Sequence, residues 1–504
     1  MSSFVDELAD RLTSHPNYWT AYRALQCSGA AATLPQSLLP TNPELSLEQH
    51  FMLLYCASVF VQTNEDRYKA MGQSIALNSL LMHDAPETRD RCVRILTELG
   101  NFPGLTYAEK HYPSVEQALI AQLQRRISQE LNTVAIGNDR LPLTDYQKSV
   151  WDMLPNVSAL AISAPTSAGK SFLVIEHMCR LVSAAKSFLA VYVAPTRALL
   201  SEVHQTIKAR MTDAVGVRVS SVPSLDEEGN PKQIFVLTQE RLQVLLSITN
   251  FHLDLIVIDE AQNLSDGPRG MILQECIDQV IQRNQNTRVI MLAPGAEGFN
   301  EAALSVGLTD LESAATTVSP VLQNRIVVSK SQGKSDLILK LLESKESQAI
   351  GIITTTRGFE NPATRLAAVA LELGAQGGSL VYATGPSDSE KVALQITQDC
   401  HFDPDQRLNE LADFIEKHIH GDYALAKMVR KGVAFHYGKM PNLLREAIEA
   451  AFKVGAVRFL TCTTTLFKVV NLPARNVFIG TPTRGKGTNL DPASCGILPV
   501  EQGE

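Results

Sequence analysis

The run Ala164-Pro-Thr-Ser-Ala-Gly-Lys-Ser171 follows an apolar stretch, Ala159-Leu-Ala-Ile162, and precedes a helical pattern from Phe172 to Leu181. Strand, glycine-bearing loop and helix in that order are what a phosphate-binding loop requires. Backbone N–H groups of the loop and the positive end of the following helix point at the phosphates. In this reading Thr166, Ser167, Ala168 and Gly169 form the cradle, Lys170 reaches the β- and γ-phosphates, and the Ser171 hydroxyl ligates Mg²⁺. The first position is Ala164 rather than Gly, so the match to the general pattern is incomplete. A chance Gly-Lys-Ser in an ordinary loop is the alternative. The flanking strand and helix favour an ATP site.

The surrounding chain supplies the fold such a loop needs. From about residue 136, short β-branched runs alternate with helical patterns: 160–163, 188–193, 217–222, 234–237, 253–258 and 289–292. The alternation predicts parallel strands joined by crossover helices in an α/β three-layer domain. A second series, 349–353, 380–383, 433–436, 457–462 and 477–479, predicts another α/β unit without a phosphate loop. Ligands of open α/β sheets bind at the carboxyl ends of strands, where the polar motifs fall.

Residues 1 to about 135 read as helical, with no fixed repeat period. Ser114-Val-Glu-Gln117 has the form of a capping box. Behind it, Leu119, Ile120, Leu123, Ile127 and Leu131 share one helical face. A regulatory or partner-binding module and a plain packing domain both fit this region. The expected division is helical 1–135, ATP-binding α/β 136–318, a second α/β domain 319–484, and an irregular tail 485–504.

Composition excludes more than it selects. A chain of 504 residues has room for about three domains. Its longest apolar run, Phe51 to Val61, is far too short to span a bilayer, and the first residues lack the form of a signal peptide. Eight scattered cysteines without a Cys-x-x-Cys pair argue against a zinc site or a disulfide framework and for a reducing cytoplasm. The net charge of −8 means that any nucleic-acid contact must be local, since a protein that coats nucleic acid is normally basic.

Leu253-Asp-Leu-Ile-Val-Ile-Asp259-Glu260-Ala261-Gln262 is an apolar strand ending in two carboxylates. Asp259 is suited to hold Mg²⁺, usually through water, and Glu260 to orient and deprotonate the water that attacks the γ-phosphate. Solvated acids at a strand end are the alternative.

At these residues the chain resembles superfamily 2 helicases of the DEAD/DEAH-box type, and within them the Ski-like branch. Asp259-Glu-Ala-Gln262 looks like the acidic box, whose final residue, here Gln262, couples nucleotide to nucleic acid in the family. Leu143-Thr-Asp-Tyr-Gln147 resembles the upstream glutamine motif, with Gln147 at the adenine edge. Val193-Ala-Pro195-Thr196-Arg197-Ala-Leu199 resembles motif Ia, and Val236-Leu-Thr238-Gln-Glu-Arg241 a later Thr-Pro-Glu-Arg-like element. In the family both elements present amides, hydroxyls and Arg to the phosphates of a single strand. Such contacts ignore base identity and need only a narrow groove of donors. The resemblance implies two tandem RecA-like parallel-sheet domains, here preceded by an all-α N-terminal domain, using ATP and Mg²⁺.

The second α/β unit carries the likeness less cleanly. Leu380-Val-Tyr-Ala-Thr384 is similar to motif IV, and Gly432-Val-Ala-Phe-His436-Tyr-Gly438, with Arg445 and Glu449, to a Ski-like element. A packing or strand-contact role for His436 outweighs a metal role, because no second ligand has suitable spacing. Thr463-Thr-Thr465-Leu-Phe-Lys-Val469-Val-Asn471-Leu-Pro-Ala474 matches motif V except at Val469, where the family has Gly, and implies strand contacts at Thr465 and Asn471. Met291-Leu-Ala-Pro-Gly295 stands where motif III is expected. The arginine-bearing motif VI is missing after motif V, and the chain stops at Glu504.

The leading expectation is an ATP-dependent helicase or translocase on single-stranded or partly duplex nucleic acid, with DNA slightly favoured over RNA. A protein partner docked on the helical N-terminal domain also fits. The alternatives are a hydrolysis-poor nucleotide switch or subunit, and a helicase fragment that takes its arginine finger from elsewhere.

Overall fold

The computed structural model describes residues 4–41, 45–82, 85–111, 119–137, 139–165, 168–212, 214–225, 231–248, 251–265, 267–294, 308, 310–331, 335–343, 346–400, 405–463, 472–481, 483–484 and 488–489. The chain divides into two compact units: Met1–Ala32 with Pro43–Asn324, and Thr33–Asn42 with Arg325–Glu504.

The first unit is built on a seven-stranded sheet. In spatial order its strands are Leu311–Ala315, Ala159–Ser163, Arg288–Ala293, Leu255–Ile258, Phe188–Val193, Lys232–Leu237 and Val217–Ser220. Every pairing is parallel. Side chains alternate across a strand, so a sheet covered on both faces needs an unbroken apolar run. Leu255 and Val257 join one core layer, and Ile256 and Ile258 the other. Tyr192, Ile234 and Val236 likewise face one side, and Val191, Phe235 and Leu237 the opposite side. The edge strand Leu311–Ala315 was not among the expected strands. Its sequence Leu-Glu-Ser-Ala-Ala has almost no apolar signal, and pairing to Ala159–Ser163 places it.

Seven helices precede this sheet: Phe4–Thr13, Pro16–Ala32, Leu47–Phe60, Asp66–Met82, Pro86–Glu98, Phe102–His111 and Leu119–Leu131. The first six share a core that includes Tyr18, Leu25, Leu53, Phe60, Tyr68 and Leu96. Polar bonds tie them to the segment after the edge strand. Asp66 Oδ2 accepts from Thr316 Oγ1 at 2.9 Å and from the Thr317 N–H at 2.8 Å, and Asn101 Nδ2 donates to Pro320 O at 3.2 Å.

The helix Leu119–Leu131 forms as expected, but its apolar stripe of Leu119, Ile120, Leu123, Ile127 and Leu131 is exposed, with Ala121 on the buried side. The capping box expected at Ser114–Gln117 lies outside the described residues.

Among the described residues the second unit holds a short antiparallel pair, Thr483–Arg484 with Thr488–Asn489, and two four-stranded sheets. One is parallel, in the order Val433–His436, Phe459–Cys462, Ser379–Tyr382, Asn476–Ile479. The other is antiparallel, in the order Leu39–Pro40, Glu346–Thr354, Asp336–Glu343, Ile326–Lys330. The run 349–353 therefore belongs to an antiparallel ladder and not to the parallel series in which the alternation had placed it. The reason is connection length: a parallel neighbour needs a long crossover, whereas antiparallel neighbours can be joined by a tight hairpin. Asp336–Glu343 ends three residues before Glu346–Thr354 begins. Leu337, Leu339 and Leu341 point inward at period two, a signal blurred by the intervening Ile338, Lys340 and Leu342.

Candidate nucleotide site and adjoining groove

The buried strand Ala159–Ser163 delivers the phosphate loop to the carboxyl edge of the sheet. Ala164, where the general pattern has Gly, is buried and its N–H donates to Ala293 O at 3.2 Å, extending the sheet ladder. Glu260 is the one non-glycine residue with positive φ among the described residues, so Ala164 needs no left-handed backbone. An alanine therefore fits there.

Gly169 does need that freedom. Its φ is +72° and it begins the helix Lys170–Ala184, which has no side-chain cap. The first N–H groups of that helix stay available to an anion. A Cβ on Gly169 would lie 2.8 Å from Gln147 Nε2.

Gln147 stands against the loop. Its Oε1 accepts from the Thr144 N–H at 2.9 Å, completing a capping box for the helix Asp145–Met153. Its Nε2 donates to Ala168 O at 3.0 Å. The expected adenine-edge residue thus also braces the loop, with one amide hydrogen still free of these two bonds. Thr166 and Ser167 lie outside the described residues.

Lys170 is buried and its ammonium donates to Ala164 O at 2.5 Å and Pro165 O at 3.1 Å. Ser171 Oγ is 3.5 Å from Asp259 Oδ2, the same oxygen to which the Tyr192 hydroxyl donates. Asp259 Oδ1 accepts from the Glu260 N–H at 2.9 Å. Glu260 has φ +52°, a conformation that costs a side-chain-bearing residue energy and that clusters at functional sites. Gln262 Nε2 donates to Glu260 Oε2, so the second and last residues of the acidic box hold each other. Tyr192 carries no motif signature, and only the adjacency of its strand to Leu255–Ile258 reveals its role.

Burial dominates the electrostatics. It lowers the Lys170 ammonium, against the pull of Glu260 and Asp259. It raises Asp259, opposed by the Tyr192 hydroxyl, the Glu260 N–H and Lys170. Glu260 is raised by burial and then by the neighbouring Asp259 charge. A buried and a half-buried carboxylate beside one ammonium form a donor set that calls for a further cation. No group of three or more His, Cys, Asp or Glu suited to a metal occurs among the described residues. Mg²⁺ does not require one, because it keeps several waters and takes one or two protein oxygens plus phosphates. Ser171 and Asp259 fit that habit.

Further along the same sheet edge, Pro195, Thr196, Thr238, Glu240, Arg241 and Arg269 line an open groove of about 420 Å³. Thr196 caps the helix Arg197–Arg210, and Thr238 caps Gln239–Leu246 through the Arg241 N–H. Arg241 Nη1 donates to Ser221 O at 2.8 Å. Four residues expected to face a strand, Pro195, Thr196, Thr238 and Arg241, are thereby brought together by two adjacent strand ends. Glu240 and Arg269 join them without having been expected. The side chain of Arg197, and all of Thr465 and Asn471, lie outside the described residues. His436 is 1% exposed, with Nε2 2.9 Å from Glu449 Oε1, and so sits in the interior of the second unit and not on a strand-facing surface.

The model of the DEAD/DEAH box helicase family matches residues 144–294, spanning the loop, both groove elements and the acidic box. Residues 144–294 are a DEAD/DEAH box helicase domain. The chain is 26% identical over 359 residues to the ATP-dependent DNA helicase Hel308 of Thermoplasma volcanium, covering 69% of this chain and 48% of that one. It is 26% identical over 340 residues to Hel308 of Methanocella arvoryzae, covering 64% and 43%. It is 25% identical over 351 residues to anti-bacteriophage protein B of Escherichia coli, covering 68% and 43%. A solved structure of Mycobacterium smegmatis helicase Lhr aligns with 66% of this chain at 16% identity and a TM-score of 0.45. The chain spans about half the length of the curated relatives it matches.

Proposed function

We propose that this chain is the ATP-driven part of a helicase or translocase acting on a single nucleic-acid strand, with DNA as the strand. The observation that carries the reading is the convergence of Lys170, Ser171, Asp259 and Glu260 at one edge of the sheet, beside a groove of helix caps and Arg241 on that same edge. The Hel308 relatives favour DNA. Membership of the Ski-like branch is part of this proposal and rests on the motif V run Thr463–Ala474.

The chemistry follows from the residues. Lys170 and the uncapped start of its helix hold the triphosphate, and Gln147 serves the adenine edge while bracing the loop. Ser171 and Asp259 hold Mg²⁺, which supplies charge neutralisation at the phosphates. Glu260, raised by burial and by Asp259, accepts the proton of the attacking water. Gln262 keeps that carboxylate oriented. Thr196, Thr238 and Arg241 meet strand phosphates, together with Arg197, Thr465 and Asn471, which carry that assignment from motif pattern alone. The helical region is offered as a docking site for a protein partner.

The cytoplasm is the proposed compartment. The seven described cysteines are buried and unbridged, as a reducing environment allows, and no helix among the described residues is long and apolar enough to cross a membrane.

The test is ATP turnover by the purified chain with Mg²⁺, with and without single-stranded DNA or RNA. Stimulation by DNA that Glu260→Gln abolishes supports the motor. Mg²⁺-dependent ATP binding with background turnover on every strand supports the hydrolysis-poor switch instead.

A further inference from the structure

Arg269 stands second after Gly267 in the helix Gly267–Arg283, the first helix beyond the acidic box. Its guanidinium makes two bonds. Nη2 donates to Pro195 O at 3.0 Å, and Nε donates to Glu240 Oε1 at 2.9 Å. Pro195 belongs to one strand-facing element and Glu240 to the other, so a single side chain ties both walls of the groove. A planar fork with fixed donor directions suits this task, and a lysine could not span both acceptors with the same geometry.

The other end of the helix start is locked to the acidic box. Gly270 packs so closely on the 3₁₀ turn Ala261–Ser265 that a Cβ would lie 2.3 Å from Leu264 O. Gln274 Nε2 also donates to Leu264 O, at 3.4 Å. That turn begins immediately after Glu260 and contains Gln262, which bonds the Glu260 carboxylate. A shift of Glu260 or Gln262 on the γ-phosphate therefore moves the turn, the helix start and Arg269 together. Packed elements of this kind transmit displacement as rigid bodies.

We infer that Arg269 is a positioning residue that couples the nucleotide site to the groove by pulling on Pro195 and Glu240 together. This deepens the proposed motor and rests on it. The pair is half-exposed, with side-chain exposures of 54% for Arg269 and 47% for Glu240. Its contribution to folding is accordingly small, so substitution should leave the chain folded.

The experiment measures single-stranded DNA affinity of the full chain with and without a non-hydrolysable ATP analogue and Mg²⁺. In the unsubstituted chain the analogue should change affinity by about fivefold or more, the lower range of allosteric couplings. Arg269→Ala should bring that ratio to about one while the dependence of affinity on salt keeps its slope. Glu240→Gln, which leaves the arginine in place but removes its partner, should reduce the ratio in the same direction. A ratio retained in Arg269→Ala overturns the inference. So does a fall in salt slope of about 0.7, which marks a direct phosphate contact. A ratio of one in the unsubstituted chain overturns the motor reading itself, and the coupling with it.

Discussion

The nucleotide corner and the groove lie on one sheet edge yet are built in opposite ways. In the corner, Lys170, Asp259 and Glu260 are withdrawn from water and answer one another, so burial moves all three ionisations. In the groove, Glu240, Arg241 and Arg269 keep contact with solvent, and Thr196 and Thr238 cap the helices that start at its wall. Chemistry on a phosphate needs fixed charges in a low dielectric. A grip that must let go and re-form along a strand needs weak, screened, sequence-insensitive contacts. On the proposed function, the difference separates a part suited to reaction from a part suited to holding a strand.

The strongest way to break this division is Glu260→Gln. Turnover should fall by about 10²–10⁴-fold, the usual contribution of a general base, while DNA affinity measured by anisotropy stays within about twofold. A comparable loss of affinity would merge the two regions. Next comes Tyr192→Phe, which takes the hydroxyl donor from the buried Asp259 Oδ2. Leaving a buried carboxylate oxygen short of a donor costs about 1–3 kcal/mol, to be read as a lower midpoint of denaturant unfolding.

A third effect is the acid response of the helix Lys170–Ala184. His177 lies on the buried side of Lys170–Ala184, where burial and the charges of Arg288 and Arg180 push it down to about 4 from 6.5. Between those values the unfolded chain binds a proton that the folded chain refuses. Stability from this group is therefore complete above pH 6.5 and is lost as pH falls towards 4. His177→Gln should flatten the unfolding midpoint across that window, and an unchanged slope would remove His177 as its source.

On the groove side, Arg241→Ala should lower the slope of log affinity against log salt by about 0.7 for a single strand, with no change in the KM for ATP. At the bottom of the scale, Ile127→Ser on the exposed stripe should shift stability by less than about 0.5 kcal/mol. A larger loss in thermal unfolding would show that the stripe is covered in solution.

The readable parts of the molecule were those with a local cause. The phosphate loop declared itself through Gly169, Lys170 and Ser171 between a strand and a helix, and the acidic box through four buried residues before Asp259. Six of the seven strands of the first sheet followed from short β-branched runs alternating with helical patterns. Where local signals conflicted, the pattern misled. Asp336–Glu343 hides its period-two alternation among extra aliphatics, so its partner 349–353 was assigned to the wrong kind of sheet. Leu311–Ala315 had no pattern to read. The stripe from Leu119 to Leu131 had a clear helical period, yet periodicity names a face without saying what covers it.

The sequence by itself marked the candidate phosphate loop, because strand, loop and helix there are contiguous in the chain, whereas the meeting of Ser171 with Asp259 waited on the fold. Tertiary structure decided everything that depends on distant segments meeting. Tyr192 reaches Asp259 only because their strands are neighbours, and Arg269 reaches Pro195 across 74 positions of sequence. Of the packing and strand-contact roles left open for His436, burial beside Glu449 in the second unit fits packing. Hydrogen bonds and burial are properties of assembled neighbours, and no single stretch of chain carries them.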